Sequence, residues 1–216
     1  MKECSDVSFG GIETVVTLNS EQMVGMLAGI SFAAGLNVYA MVATLGLLAR
    51  TGVVTLPPAI DSLQSWWIIG AALALFVLEF FADKIPAFDL IWNALQTFVR
   101  VPVAALLAFA ATSHLSLGMQ LGATALGGLI AFAAHGGKTA LRAAVTPSPE
   151  PVSNIALSLG EDVGAVALSW IAVQHPYLAA AVVIVLLVIV VLVMRWVWRA
   201  LRSLFSRART APAAEP

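Results

Sequence analysis

Long apolar runs broken by short charged or proline-rich segments set the pattern of this chain. No charged residue occurs from Met23 to Leu48, yet Gly25, Gly29 and the stretch Gly35-Leu36-Asn37 interrupt it. Two readings fit: one long tilted helix with small residues against a neighbour, or a helix broken near Gly35–Asn37 that exposes backbone groups to a cavity. The first is the simpler. Arg50, Thr51-Gly52 and Leu56-Pro57-Pro58 predict a loop. A second span runs from Trp66-Trp67, indoles suited to the headgroup level, to about Phe81. Phe88, Ile91, Trp92, Leu95 and Phe98 then recur at helical spacing opposite Asp89, Asn93 and Gln96. That segment is either an interfacial helix or the polar start of the next span.

Residues 101–134 are too long for one crossing of about 20 residues, so a tight helical hairpin turning near Ser113–Ser116 is expected. Three prolines at 147, 149 and 151 exclude a helix interior there. A fifth span is predicted at about 155–174, and a sixth, apolar on every side, from Tyr177 to Met194. Residues 1–21 read as a polar tail without the basic start and longer apolar core of a signal peptide. Residues 22–198 read as the transmembrane domain, and 199–216 as a basic, then Pro/Ala-rich tail. The fold expected is an all-α polytopic membrane helix bundle of about six spans with at least one broken or re-entrant helix. An inverted repeat also suits the pattern, since each half joins a glycine-broken or paired apolar region to a charged, proline-bearing segment. The halves share no clear residue-level identity.

Composition agrees. Of 216 residues, 60% are hydrophobic and 11% charged, against about a quarter charged in soluble domains; mean hydropathy is +0.94. A soluble enzyme, a disordered chain and a nucleic-acid binder are excluded. The net charge of −1 carries no message about partners, and a single cysteine excludes a disulfide framework or a cysteine metal cluster. The arginines from Arg195 to Arg209 argue for a cytoplasmic C-terminus. Six crossings would place the acidic N-terminus on that side too, whereas five crossings plus a re-entrant segment would separate the ends.

The charges at membrane depth carry the chemistry. Glu161 and Asp162 fall in an oily segment, where two acids cost about 5 to 7 kcal/mol at mid-helix. Its eight Leu, Ile and Val residues return only about 2.4 to 4.8 kcal/mol. The pair therefore needs partners or water inside the protein. Gly160 and Gly164 bracket it and would admit a neighbouring helix. His135, Lys138 and Arg142 share one helix face, as do Glu79 and Asp83, followed by Lys84. Four acids (Glu79, Asp83, Glu161, Asp162) against four bases (Lys84, Arg100, Lys138, Arg142) suggest an internal charge network. Asn154 and Ser158 extend the polar stripe of the fifth span, and Asn37 with Tyr39 could add neutral donors. The competing reading puts such charges at interfacial helix ends, where long side chains snorkel; for Asp83, Lys84 and Arg100 it is the better one.

Several motifs resemble, in order, those of the membrane-protein family called domain of unknown function 4126. They are Gly35-Leu36-Asn37-Val38-Tyr39, Glu79-Phe80-Phe81-Ala82-Asp83-Lys84-Ile85-Pro86, His135-Gly136-Gly137-Lys138 and Leu157-Ser158-Leu159-Gly160-Glu161-Asp162-Val163. The likeness covers roughly residues 24–195. It implies a small helical inner-membrane protein of bacterial type and supplies no activity to transfer.

Three functions remain. The first is a transporter or channel for a small polar solute or ion, with Glu161, Asp162, Glu79 and Asp83 toward cations or protons and His135, Lys138 and Arg142 toward an anionic group. The second is a structural protein whose ion pairs fix packing, with Gly118, Gly122, Gly160 and Gly164 suited to close contacts or a homo-oligomer. The third is an intramembrane enzyme, which the sequence disfavours: it has neither an HExxH nor a GxSxG motif, and its three histidines are scattered. No metal and no cofactor is expected, and the partners expected are the lipid bilayer and an unidentified small solute.

Overall fold

The computed structural model describes residues 19–82, 86–145 and 151–210. Helix α1 spans Ser20–Arg50, a 3-10 helix Pro58–Gln64, and α2 Trp66–Ala82. They are followed by α3 (Pro86–Ala111), α4 (Leu117–Val145), α5 (Pro151–Gln174) and α6 (Pro176–Thr210). Helices α3, α5 and α6 each begin on proline, whose fixed φ and missing N–H suit a first helical position. Five helices (α1 and α3 to α6) are long and apolar enough to cross a membrane, and the 3-10 helix with α2, bent by 64°, raises the number to six. The hairpin between α3 and α4 turns at 112–116, as expected. Residues 199–210, expected in the tail, continue α6 as helix.

Helix α1 is the centre of the bundle and touches every other helix. A capping box opens it: the Asn19 side chain accepts from Gln22 N at 2.8 Å, and Gln22 Oε1 accepts from Asn19 N at 3.1 Å. The simpler expectation, one continuous tilted helix, is overturned. Asn37 is extended (φ −151°, ψ 103°) within the helix, and the chain doubles back there. Asn19 Nδ2 donates to Tyr177 Oη at 3.2 Å, while Gln174 Nε2 donates to the Val53 carbonyl at 3.5 Å. Both ends of α1 thus meet the α5–α6 turn, although 31 residues of straight helix would span about 46 Å.

The side-chain packing follows the same path. On the inward arm, Gly25 lies against the Pro176 carbonyl, and a Cβ at Gly29 would stand 2.6 Å from Ala172 Cβ. On the outward arm, a Cβ at Gly46 would stand 2.5 Å from the Leu63 carbonyl and 2.8 Å from Ile69 Cγ1. Leu27 of the inward arm shares an apolar cluster with Ile60, Leu63, Ala108 and Ala111. Helix α1 is therefore a re-entrant hairpin with its tip at Asn37, and α2 to α6 run alternately between the two faces of the bundle. Among the described residues non-helical backbone inside a helix occurs at Asn37 of α1, and the 64° bend between the 3-10 helix and α2 is a second break.

The expected glycine contacts are only partly present. A Cβ at Gly118, Gly122 or Gly160 would meet nothing within 4 Å, and one at Gly164 would reach Leu36 Cδ1 at 3.4 Å. Helix α6 is mostly exposed, as an all-apolar segment facing lipid should be.

Candidate functional site

Breaking a helix at Asn37 frees polar groups on both sides of the break, and each set has found partners. Asn37 Oδ1 accepts from the N–H groups of Tyr39 (3.1 Å) and Ala40 (3.0 Å), so Asn37 caps the N-terminus of the outward arm. Its Nδ2 donates to Asp162 Oδ1 at 2.8 Å. On the inward arm the freed carbonyls belong to Gly35 and Leu36. Arg100 Nη1 donates to them at 3.1 and 2.6 Å, and Lys138 Nζ reaches the Leu36 carbonyl at 3.2 Å. Cations at the C-terminal end of a helix segment also suit its dipole.

The same two bases bind acids. Arg100 Nη2 pairs with Glu79 Oε1, and Lys138 Nζ lies 3.6 Å from that oxygen and 3.0 Å from Glu161 Oε2. Arg142 grips Glu161 through Nη2 at 2.6 Å and Nε at 3.3 Å. Arg100 and Glu79 are fully buried, and Lys138, Arg142, Glu161 and Asp162 are buried too. Among the described residues the cluster holds three acids and three bases. Arg100 and Asp162 stand near the middle of their helices, 11 and 14 residues from the ends of α3 and 12 and 11 from those of α5, whereas Glu79 and Arg142 stand three residues from the ends of α2 and α4.

Glu79, Lys138, Arg142, Glu161, Asp162 and Asn37, singled out from the sequence, thus converge at the hairpin tip. His135 is beside them but does not face an acid. Its Nε2 lies 3.0 Å from the Asn93 carbonyl and its Nδ1 3.3 Å from Arg100 Nη1. The Asn93 carbonyl can only accept, so Nε2 carries a proton toward it, while Nδ1 faces the Arg100 guanidinium. Asp83 and Lys84 lie outside the described residues, as does the side chain of Asn154.

Arg100 is the main correction. Expected at an interfacial end, it is instead the largest fully buried side chain. Its signal was present as a stripe: Asn93, Gln96 and Arg100 stand at i, i+3 and i+7 on α3, and all three are buried. Gln96 Nε2 donates to Tyr39 Oη at 3.1 Å, which ties this stripe to the outward arm of α1.

A cavity of about 460 Å³ opens beside the cluster, between α1, α4, α5 and α6. Lys138 and Glu161 are its polar wall, and the rest is apolar, including Leu36, Leu168, Leu186 and Val190. Among the described residues no group of three or more His, Cys, Asp or Glu side chains is arranged to hold a metal.

A bundle of apolar helices folded around a re-entrant hairpin, with a neutralised cluster of charges at its tip, defines a polytopic membrane protein. The chain belongs to the family described as domain of unknown function (DUF4126), which matches residues 24–196. No curated protein and no solved structure matches it.

Proposed function

We propose that this protein moves a small polar solute or ion across the bilayer through the charge cluster at the tip of α1. The observation that carries the reading is the meeting of two half-helix ends with three acidic and three basic side chains, Arg100 and Asp162 among them at mid-helix. Such an arrangement is costly in a purely structural role, and broken helices at the midplane are how many transporters build a site. The inward arm presents carbonyls, the outward arm presents N–H groups, and the acids and bases between them can exchange partners as a solute enters. Arg100 and Lys138 hold the tip by its carbonyls, so a solute competing for Glu79 or Glu161 loosens the grip on α1. The C-terminal arginines favour a cytoplasmic C-terminus. With α1 re-entrant and five crossings after it, the start of α1 at Ser20 falls on the opposite side of a plasma membrane.

Reconstitution into liposomes tests the reading. Flux of protons, alkali cations and chloride is compared between the wild type and a Glu161→Gln, Asp162→Asn double variant. A flux present in the first and at least about tenfold lower in the second is expected. Equal flux in two well-folded proteins ends the proposal. The direct pairing of Glu161 with Lys138 and Arg142 favours a second reading, a packing network that specifies the fold; it predicts no flux above empty liposomes.

A further inference from the structure

The cavity between α1, α4, α5 and α6 borders the cluster through Lys138 and Glu161, but the rest of its chemistry differs from that of a polar-solute site. Its walls are apolar except at Lys138 and Glu161. Its size, about 460 Å³, falls within the range of small-molecule sites. Small residues create it: Ala134, Ala156, Gly160 and Ala167 line the space, and a Cβ at Gly160 would touch nothing within 4 Å. Ala156, Gly160 and Ala167 are also exposed, so the mouth lies on the lipid-facing side of α5.

We propose that this cavity binds a single-chain amphiphile with a neutral hydroxyl head, the hydroxyl donating to Glu161 and the chain lying along α5 toward Ile171. Three observations select that class. Among the described residues three acids and three bases balance in the cluster, so a charged head would add a charge to that buried balance. Lys138 Nζ already donates to the Leu36 carbonyl at 3.2 Å and to Glu161 Oε2 at 3.0 Å, with Glu79 Oε1 3.6 Å away, so an acidic head would have to compete with these acceptors. Glu161 still has capacity: a carboxylate offers about four acceptor positions, and Lys138 and Arg142 occupy three. From Glu161 to Ile171 α5 rises about 15 Å, which is apolar space for a chain. The inference stands apart from the transport reading, because binding needs no flux.

Three photoreactive probes of equal chain length, bearing a hydroxyl, carboxylate or trimethylammonium head, test it on the full chain in nanodiscs. The hydroxyl probe is expected to label peptides of α5 and α6 at least about tenfold more than either charged probe. Gly160→Leu, and independently Ala156→Leu, fill the cavity and should remove most of that labelling. Gly122→Leu, at an open position outside the cavity, should leave it unchanged. Equal labelling by all three heads, a preference for a charged head, or labelling that survives both cavity-filling variants overturns the proposal. Those results mean surrounding lipid or another ligand class. A retained signal with no solute flux would uphold this site and sink the transport reading; flux without the signal would do the reverse.

Discussion

Replacing Arg100 is the sharpest test of how the hairpin tip is held. Arg100→Met removes the guanidinium partner of the fully buried Glu79 carboxylate and the donor to the Gly35 carbonyl, while Lys138 stays 3.6 Å from Glu79 and holds the Leu36 carbonyl. Breaking a buried ion pair from one side costs about 3–5 kcal/mol, and Glu79→Met should cost about the same. In the double variant the pair is gone and two flexible apolar side chains fill the space. What remains is an unsatisfied carbonyl, about 1–3 kcal/mol, and one lost acceptor for Lys138. The double variant should therefore lose about 2–4 kcal/mol, at least about 2 kcal/mol less than the sum of the singles. Reversible unfolding in bicelles measures all three. Single costs that simply add, to within about 0.5 kcal/mol, would refute the claim that the two residues act as one buried unit.

Asn37→Leu removes both the cap of the outward arm and one hydrogen bond to Asp162, and should destabilise by about 2 kcal/mol or more in the same assay. Asn37→Ser keeps a capping oxygen and should cost less. A Cβ at Gly35 would stand 2.5 Å from the Ala131 carbonyl, so Gly35→Ala should cost about 1–3 kcal/mol. Gly122→Ala, with open space around it, should be neutral or stabilising by up to about 1 kcal/mol. In a Cys4→Ser background, Thr51→Cys should label from the same side of the membrane as Asn19→Cys, and Ser203→Cys from the other. Thr51→Cys labelling with Ser203→Cys instead would contradict the re-entrant path.

Much of the architecture was legible because lipid enforces it. The apolar runs located α2, the turn between α3 and α4, and α5 to within a few residues, while α6 continues to Thr210, 16 residues past the expected Met194; the costly acids at 161 and 162 marked the buried cluster. The break at Asn37 was visible only as an alternative, since glycine and asparagine in an apolar helix are equally compatible with close packing. What decided it was distant in sequence: Arg100 and Lys138, 64 and 102 residues beyond Leu36, satisfy the carbonyls that a break exposes. Arg100 was misplaced for the same reason. Its apolar neighbours resemble a snorkelling site, and the partners that make burial tolerable come from α1 and α2. The glycine spacing records what could approach a helix, and within the chain only Gly164 of the two pairs is met, by Leu36. Gly118, Gly122 and Gly160 meet no neighbour within the chain.

The capped tip of α1 also constrains how the protein is made. Translation delivers residues 20–50 long before Arg100 or Lys138 exists, so the two freed carbonyls have no partner during early synthesis. The first helix must then wait, either spanning the bilayer provisionally or resting at its surface, until α3 and α4 arrive. A ribosome-stalled intermediate ending before residue 100 should expose position 37 to water-soluble reagents, and one that includes α4 should protect it.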